Sequence, residues 1–80
     1  QSELNQAIQD CIGALGDDHR AALVLCDVEG YSYGEIASQA GVALGTVKSR
    51  LSRARRQVRD CLQAVKELLP QEYRLSSEDQ

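Results

Sequence analysis

Phenylalanine, tryptophan and methionine are absent from this chain of 80 residues, and proline and histidine occur once each. Any core must therefore be built from Ala, Leu, Val and Ile, a stock that suits closely packed helices. The single proline, Pro70, leaves long stretches without a helix breaker. No apolar run approaches the roughly 18 residues of a membrane span, and no signal peptide is visible. The three cysteines, Cys11, Cys26 and Cys61, are odd in number and far apart, and no Cys-x-x-Cys pair accompanies His19. That spacing argues against a disulfide framework and a zinc site, and for core thiols in a reducing cytoplasm. No nucleophile lies beside a base, and no glycine loop of the phosphate-cradling kind is present, so neither catalysis nor a cofactor is expected. The chain opens on Gln1, which predicts a piece of a longer protein. A chain this short makes one small domain with a thin core.

What the sequence does have is segregated charge. The net charge is −3, which by itself disfavours a nucleic-acid partner. Between Thr46 and Arg59, however, lie Lys48, Arg50, Arg53, Arg55, Arg56 and Arg59 with no acidic residue. Elsewhere three basic side chains face all twelve acidic ones, a net of −9. A local cluster of one sign sets the field a partner meets, whatever the total.

Periodicity predicts helices throughout. Leu4, Ile8, Cys11, Ile12 and Leu15 recur at helical spacing, and Gly13 and Gly16 punctuate the end of that segment. Asp17 or Asp18 is positioned to cap a second helix from about His19 to Val28. Its centre, Ala21 to Cys26, is apolar all round. Helix is favoured over a buried strand because no second strand pattern exists to pair with it. Ser32 and Glu35 form a capping box for a short helix with Ile36, Ala37 and Ala40 inward, and Gly41 supplies a positive-φ turn. A last helix starts near Ala43 or Leu44. Its stripe is Leu44, Val47, Leu51, Ala54, Val58, Leu62, Val65 and Leu69, and Pro70 stops it.

A short helix, the turn Ala40-Gly41-Val42 and a basic second helix read as a helix-turn-helix. At 100° per residue, the face opposite the last stripe carries Ser49 and Arg56, with Gly45, Thr46, Ser52 and Arg53 beside them. Lys48, Arg55 and Arg59 occupy one flank and Arg50 the other. Short polar groups and an arginine suit base edges in a major groove, and flanking cations suit phosphates. Gly45 lets a phosphate approach the free N–H groups of the first turn. A basic helix face is usually a solvated surface with i,i+4 ion pairs, but this run holds no acidic partner of its own. A membrane surface or a calmodulin-like partner would need bulky apolar anchors that the basic face lacks. Tyr31 and Tyr33 are expected to pack the start of the motif, and His19 to lie at the surface.

The segments Asp27 to Ala37, Gly41-Val42 and Gly45-Thr46-Val47-Lys48-Ser49-Arg50-Leu51-Ser52-Arg53-Ala54-Arg55 resemble region 4 of bacterial sigma factors, most closely the extracytoplasmic-function (ECF) group. The resemblance covers residues 4 to 69. It implies an all-α, four-helix domain, placed here over 1–70 with its helix-turn-helix at 32–59; the polar stretch 71–80 is by its composition expected to be a disordered tail. The resemblance further implies reading of the −35 promoter element in bacterial transcription initiation, docking on the β flap of RNA polymerase core, and control by an anti-sigma factor. A monomer in the bacterial cytoplasm, with no membrane contact, is expected.

Carried over by position, Lys48, Ser49, Ser52 and Arg53 would approach bases, while Thr46, Arg50, Arg55 and Arg56 would hold phosphates; the wheel adds Gly45 and Arg59 to the second set. About five neutralised phosphates would give a log–log salt slope near −4.5. Two departures stand out. Leu15-Gly16 replaces a frequent Leu-Pro, which is expected to loosen the approach to the second helix, and Ala43 offers no side-chain cap. Alternatives are a protein-interaction module clamped by a regulator, covering either Lys48, Arg53 and Arg56 or an apolar edge near Leu23, Leu25 and Leu62, and a LuxR-type dimeric effector domain.

Overall fold

The computed structural model describes residues 3–67. It contains four α-helices: α1 (Glu3–Gly13), α2 (Asp17–Leu23), α3 (Tyr33–Ala40) and α4 (Leu44–Lys66), with a π-helical turn, Val24–Val28, extending α2. Among the described residues there is no strand, and the domain is all-α. The expected tail 71–80, Leu69 and Pro70 lie outside the described residues.

Local chemistry sets most of the boundaries. Ser32 Oγ accepts from the Glu35 N–H at 3.1 Å, and Glu35 Oε1 accepts from the Ser32 N–H at 2.8 Å. This reciprocal box opens α3, and a cap of this type contributes about 1 kcal/mol. Gly41 closes α3 in the left-handed region at φ 69°, where a side chain would be strained. Ala43 caps α4 without a side-chain bond, as its methyl group requires. The second helix begins earlier than the aspartates suggest. Gly16 is its N-cap, and Asp17 and Asp18 lie inside the first turn, where their charge complements the helix dipole.

The core has two parts that share α2 and α4. Ala22, Ile36, Ala37, Val47 and Leu51 form one cluster, with Leu25, Cys26, Tyr33 and Val42 packed against it. Leu15, Leu23 and Ala54 form the other, with Ile12 and Val58 at its edge. Ala54 is fully buried, and its small side chain lets α1 and α2 approach α4 closely. The expected stripe of α4 therefore holds at Val47, Leu51 and Ala54, whereas Leu44 is exposed. Ala40 is exposed and Ala7 is buried, both against the expected pattern.

Two further expectations are corrected. Cys11 and Cys61 form a disulfide that joins α1 to α4 with 5.8 Å between their Cα atoms; Cys26 alone is a free thiol. Fifty residues of sequence separate the pair, but the fold brings a buried Cys11 of α1 against a half-buried Cys61 of α4. The α1–α2 junction is also held, despite lacking the frequent Leu-Pro. The Arg20 guanidinium donates to the Leu15 carbonyl at 2.8 Å and the Gly13 carbonyl at 3.2 Å, and binds Asp17 Oδ1 at 2.7 Å. One side chain thus satisfies the last carbonyl of α1, Gly13, and the Leu15 carbonyl of the loop that follows.

Candidate nucleic-acid interface

The first core cluster fixes how α4 presents its outer face. Val47 and Leu51 are each 1% exposed, so the residues opposite them point to solvent. Lys48, Ser49, Ser52, Arg53, Arg55, Arg56 and Arg59 are all exposed, as is Gly45; Thr46 and Arg50 are half-buried. The side chains assigned from sequence therefore share one helix but divide between two surfaces. Lys48, Ser52, Arg55, Arg56 and Arg59 line an open cleft of about 520 Å³ whose far wall is Tyr33 at the start of α3. Ser49 and Arg53 lie outside that cleft, and so do Gly45, Thr46 and Arg50.

Two cations of α4 have acidic partners. Arg50 Nη2 lies 3.7 Å from Asp18 Oδ2 of α2. Arg55 is held more firmly: its Nε donates to Asp27 Oδ2 at 3.0 Å and its Nη2 to Asp27 Oδ1 at 2.7 Å. Both acids come from other elements, so a scan of the run itself could not find them. The sequence reading missed Asp27 and the cleft-facing role of Tyr33. His19 Nδ1 lies 3.5 Å from Gln57 Oε1, tying α2 to α4 on the opposite flank.

The hydrogen bond from Arg55 holds the Asp27 carboxyl below its ordinary value of 3.8, against a smaller opposing effect of burial. Hydrogen bonds to Asp27 and to the Tyr33 hydroxyl raise the Arg55 guanidinium further still. A carboxyl lowered on folding stabilises the fold above its unfolded value and loses that contribution as pH falls through the lowered one. The pair is about half exposed, so the contribution is small. In a carbon-detected NMR titration, the Asp27 carboxyl midpoint is expected below 3.8. In Arg55→Gln it should return towards the ordinary carboxylate range. An unchanged midpoint in that variant would refute the coupling.

Among the described residues, Leu4, Val28, Tyr31 and Leu44 are the exposed large apolar side chains. The edge expected near Leu23, Leu25 and Leu62 is not a free surface, because Leu23 is buried and the other two are half-buried. Among the described residues, no group of three His, Cys, Asp or Glu side chains is placed to hold a metal ion, and no helix is long and apolar enough to cross a membrane.

Comparison with known proteins gives a consistent answer. The family model for sigma-70, region 4 matches residues 5–58. The chain is 51% identical over 61 residues to the ECF RNA polymerase sigma factor SigE of Mycolicibacterium smegmatis, covering 76% of this chain and 24% of that protein. It is 47% identical over 55 residues to the ECF RNA polymerase sigma factor SigM of Mycobacterium tuberculosis, covering 69% and 28%. Against the ECF RNA polymerase sigma-E factor of Haemophilus influenzae the identity is 39% over 62 residues, covering 78% and 33%. The aligned part of the chain spans about a quarter to a third of the length of these relatives.

Proposed function

Since this chain belongs to the sigma-70 region 4 family, we propose that it reads the −35 element of a promoter as part of an ECF-type sigma factor. The observation that carries this is the outer face of α4. Six cations and two serines stand along 14 residues with no acid among them, on a helix whose opposite face is locked into the core. Ser49 and Arg53 at the crest, with Lys48 and Ser52 at the cleft edge, face base edges in the major groove. Gly45, Thr46, Arg50, Arg56 and Arg59 hold phosphates on either side and set the register. Ala22 of α2 and Ile36 and Ala37 of α3, packed against Val47 and Leu51 of α4, keep that face at a fixed angle.

The relatives' names, RNA polymerase sigma factors, support delivery of this reading to RNA polymerase core. Docking on the β flap and control by an anti-sigma factor, as a monomer, complete the proposal. Binding, without a chemical step, is the activity. The LuxR-type alternative is set aside by the family match.

The test is an NMR titration of the labelled chain with a short duplex bearing an ECF-type −35 element, against a scrambled duplex at low salt. Amide shifts are expected to concentrate on Gly45 to Arg56 and to depend on sequence. Arg53→Ala should weaken binding to the specific duplex by about 1–3 kcal/mol and relax specificity at one base pair. Equal, salt-sensitive shifts with both duplexes would sink promoter reading. They would leave a basic surface for an acidic protein partner.

A further inference from the structure

Arg55 lies on the same side of α4 as Lys48, Ser52 and Arg59, and by position it is a phosphate contact. Its hydrogen bonds point elsewhere. Two nitrogens form a fork on both oxygens of Asp27, at 3.0 and 2.7 Å. The third, Nη1, donates to Tyr33 Oη at 3.4 Å, and Nη2 also reaches Cys26 Sγ at 3.7 Å. One guanidinium thereby joins the π-helical turn, the start of α3 and the middle of α4. The π-helical turn places its partner: Glu29 N–H bonds to the Val24 carbonyl at 2.9 Å, the wide i→i+5 pattern, and Asp27 sits within that turn. Among the described residues, no other cation of α4 has a two-pronged partner; Arg50 meets Asp18 at 3.7 Å only.

We propose that Asp27 and Arg55 form a positioning clamp that fixes the angle at which α4 meets the groove, and that Arg55 neutralises no phosphate. The inference rests on the promoter-reading function proposed above. Its physical content is that the clamp contributes orientation more than stability. Both side chains are about half exposed, and exposed ion pairs stabilise little. A planar fork on a carboxylate nevertheless fixes direction in a way a lysine does not. With Asp27 cancelling Arg55, the working charge of the cleft comes from Lys48, Arg56 and Arg59.

The experiment measures binding of the 80-residue chain to the −35 duplex and to a scrambled duplex across a salt series, for the parent, Arg55→Gln, Arg55→Lys, Asp27→Asn and Arg56→Gln. A residue that releases a counterion changes the log–log slope by about 0.9 when removed. Arg56→Gln is expected to show that change. Arg55→Gln should leave the slope unaltered and lower the specific-to-scrambled ratio by about tenfold, the scale of one lost base contact. Arg55→Lys should not restore the ratio. Asp27→Asn frees the guanidinium, so the slope should steepen on both duplexes while the ratio falls. If Arg55→Gln flattens the slope and leaves the ratio intact, Arg55 is a phosphate contact and the clamp idea fails. An unaltered ratio in both Arg55→Gln and Asp27→Asn overturns it equally. A parent chain that does not discriminate the duplexes defeats promoter reading and with it this role in reading. The clamp itself is judged separately in the free protein. Asp27→Asn should shift the amides of Tyr33, Lys48, Ser52 and Arg59; unmoved amides mean that nothing is being positioned.

Discussion

Reducing the Cys11–Cys61 bond is expected to lower the unfolding free energy by about 4 kcal/mol, the loop-closure contribution for a separation of this size in the chain-entropy model. The whole stability of a chain this short is about 4–12 kcal/mol. The bond therefore decides whether the domain is robust or marginal. At about 4–8 °C per kcal/mol for a domain of this size, the melting temperature should fall by tens of degrees. Helix content followed by circular dichroism, with and without a dithiol reductant, measures it. The double variant Cys11→Ala and Cys61→Ala should melt where the reduced parent melts and ignore the reductant. Cys26→Ser should keep the full reductant effect, because its thiol is free. Identical melting of oxidised and reduced parent would show that the bond constrains nothing.

Leu51→Ala comes next, with an expected loss of about 3 kcal/mol. Leu51 is 1% exposed and among the largest fully buried side chains. It belongs to the cluster that holds α3 against α4. Its removal leaves a void that the small side chains Ala22 and Ala37 cannot fill. The expected signature is a melting temperature lower by about 12–24 °C, with loss of the sequence-dependent amide shifts at temperatures where α3 no longer holds α4. A drop of only a few degrees would mean that the helices close over the void.

These two residues mark the line between what was legible in the sequence and what was not. Leu51 was legible because Val47, Leu51 and Ala54 recur every three or four positions, and periodicity is a local signal. Ser32 with Glu35, and Gly41 between two apolar segments, were legible for the same reason. The Cys11–Cys61 bond was not. It depends on how α1 lies across α4, and linear spacing carries no trace of that. Arg20 was missed likewise, since the carbonyls it satisfies become neighbours only when the chain turns between Gly13 and Asp17. At the candidate interface, the outward face of α4 followed from its own helical register. The acids opposite Arg50 and Arg55 belong to other elements, so the run looked uncompensated when read alone. The π-helical turn had no signal either, because Ala21 to Cys26 is apolar all round and fits any helical winding.

The bond between Cys11 and Cys61 also changes the connectivity of the molecule. Residues 11–61 become a closed ring that contains all of α2 and α3 and most of α4. A single backbone cut inside that ring, for instance at the exposed Gly30 turn, opens it without dividing it, and the two segments remain one covalent species. Their reassembly is then unimolecular and independent of concentration. Tolerance of a nick inside the ring, and of chain ends moved there, is set by a bond anchored on α4 just beyond the helix-turn-helix it encloses.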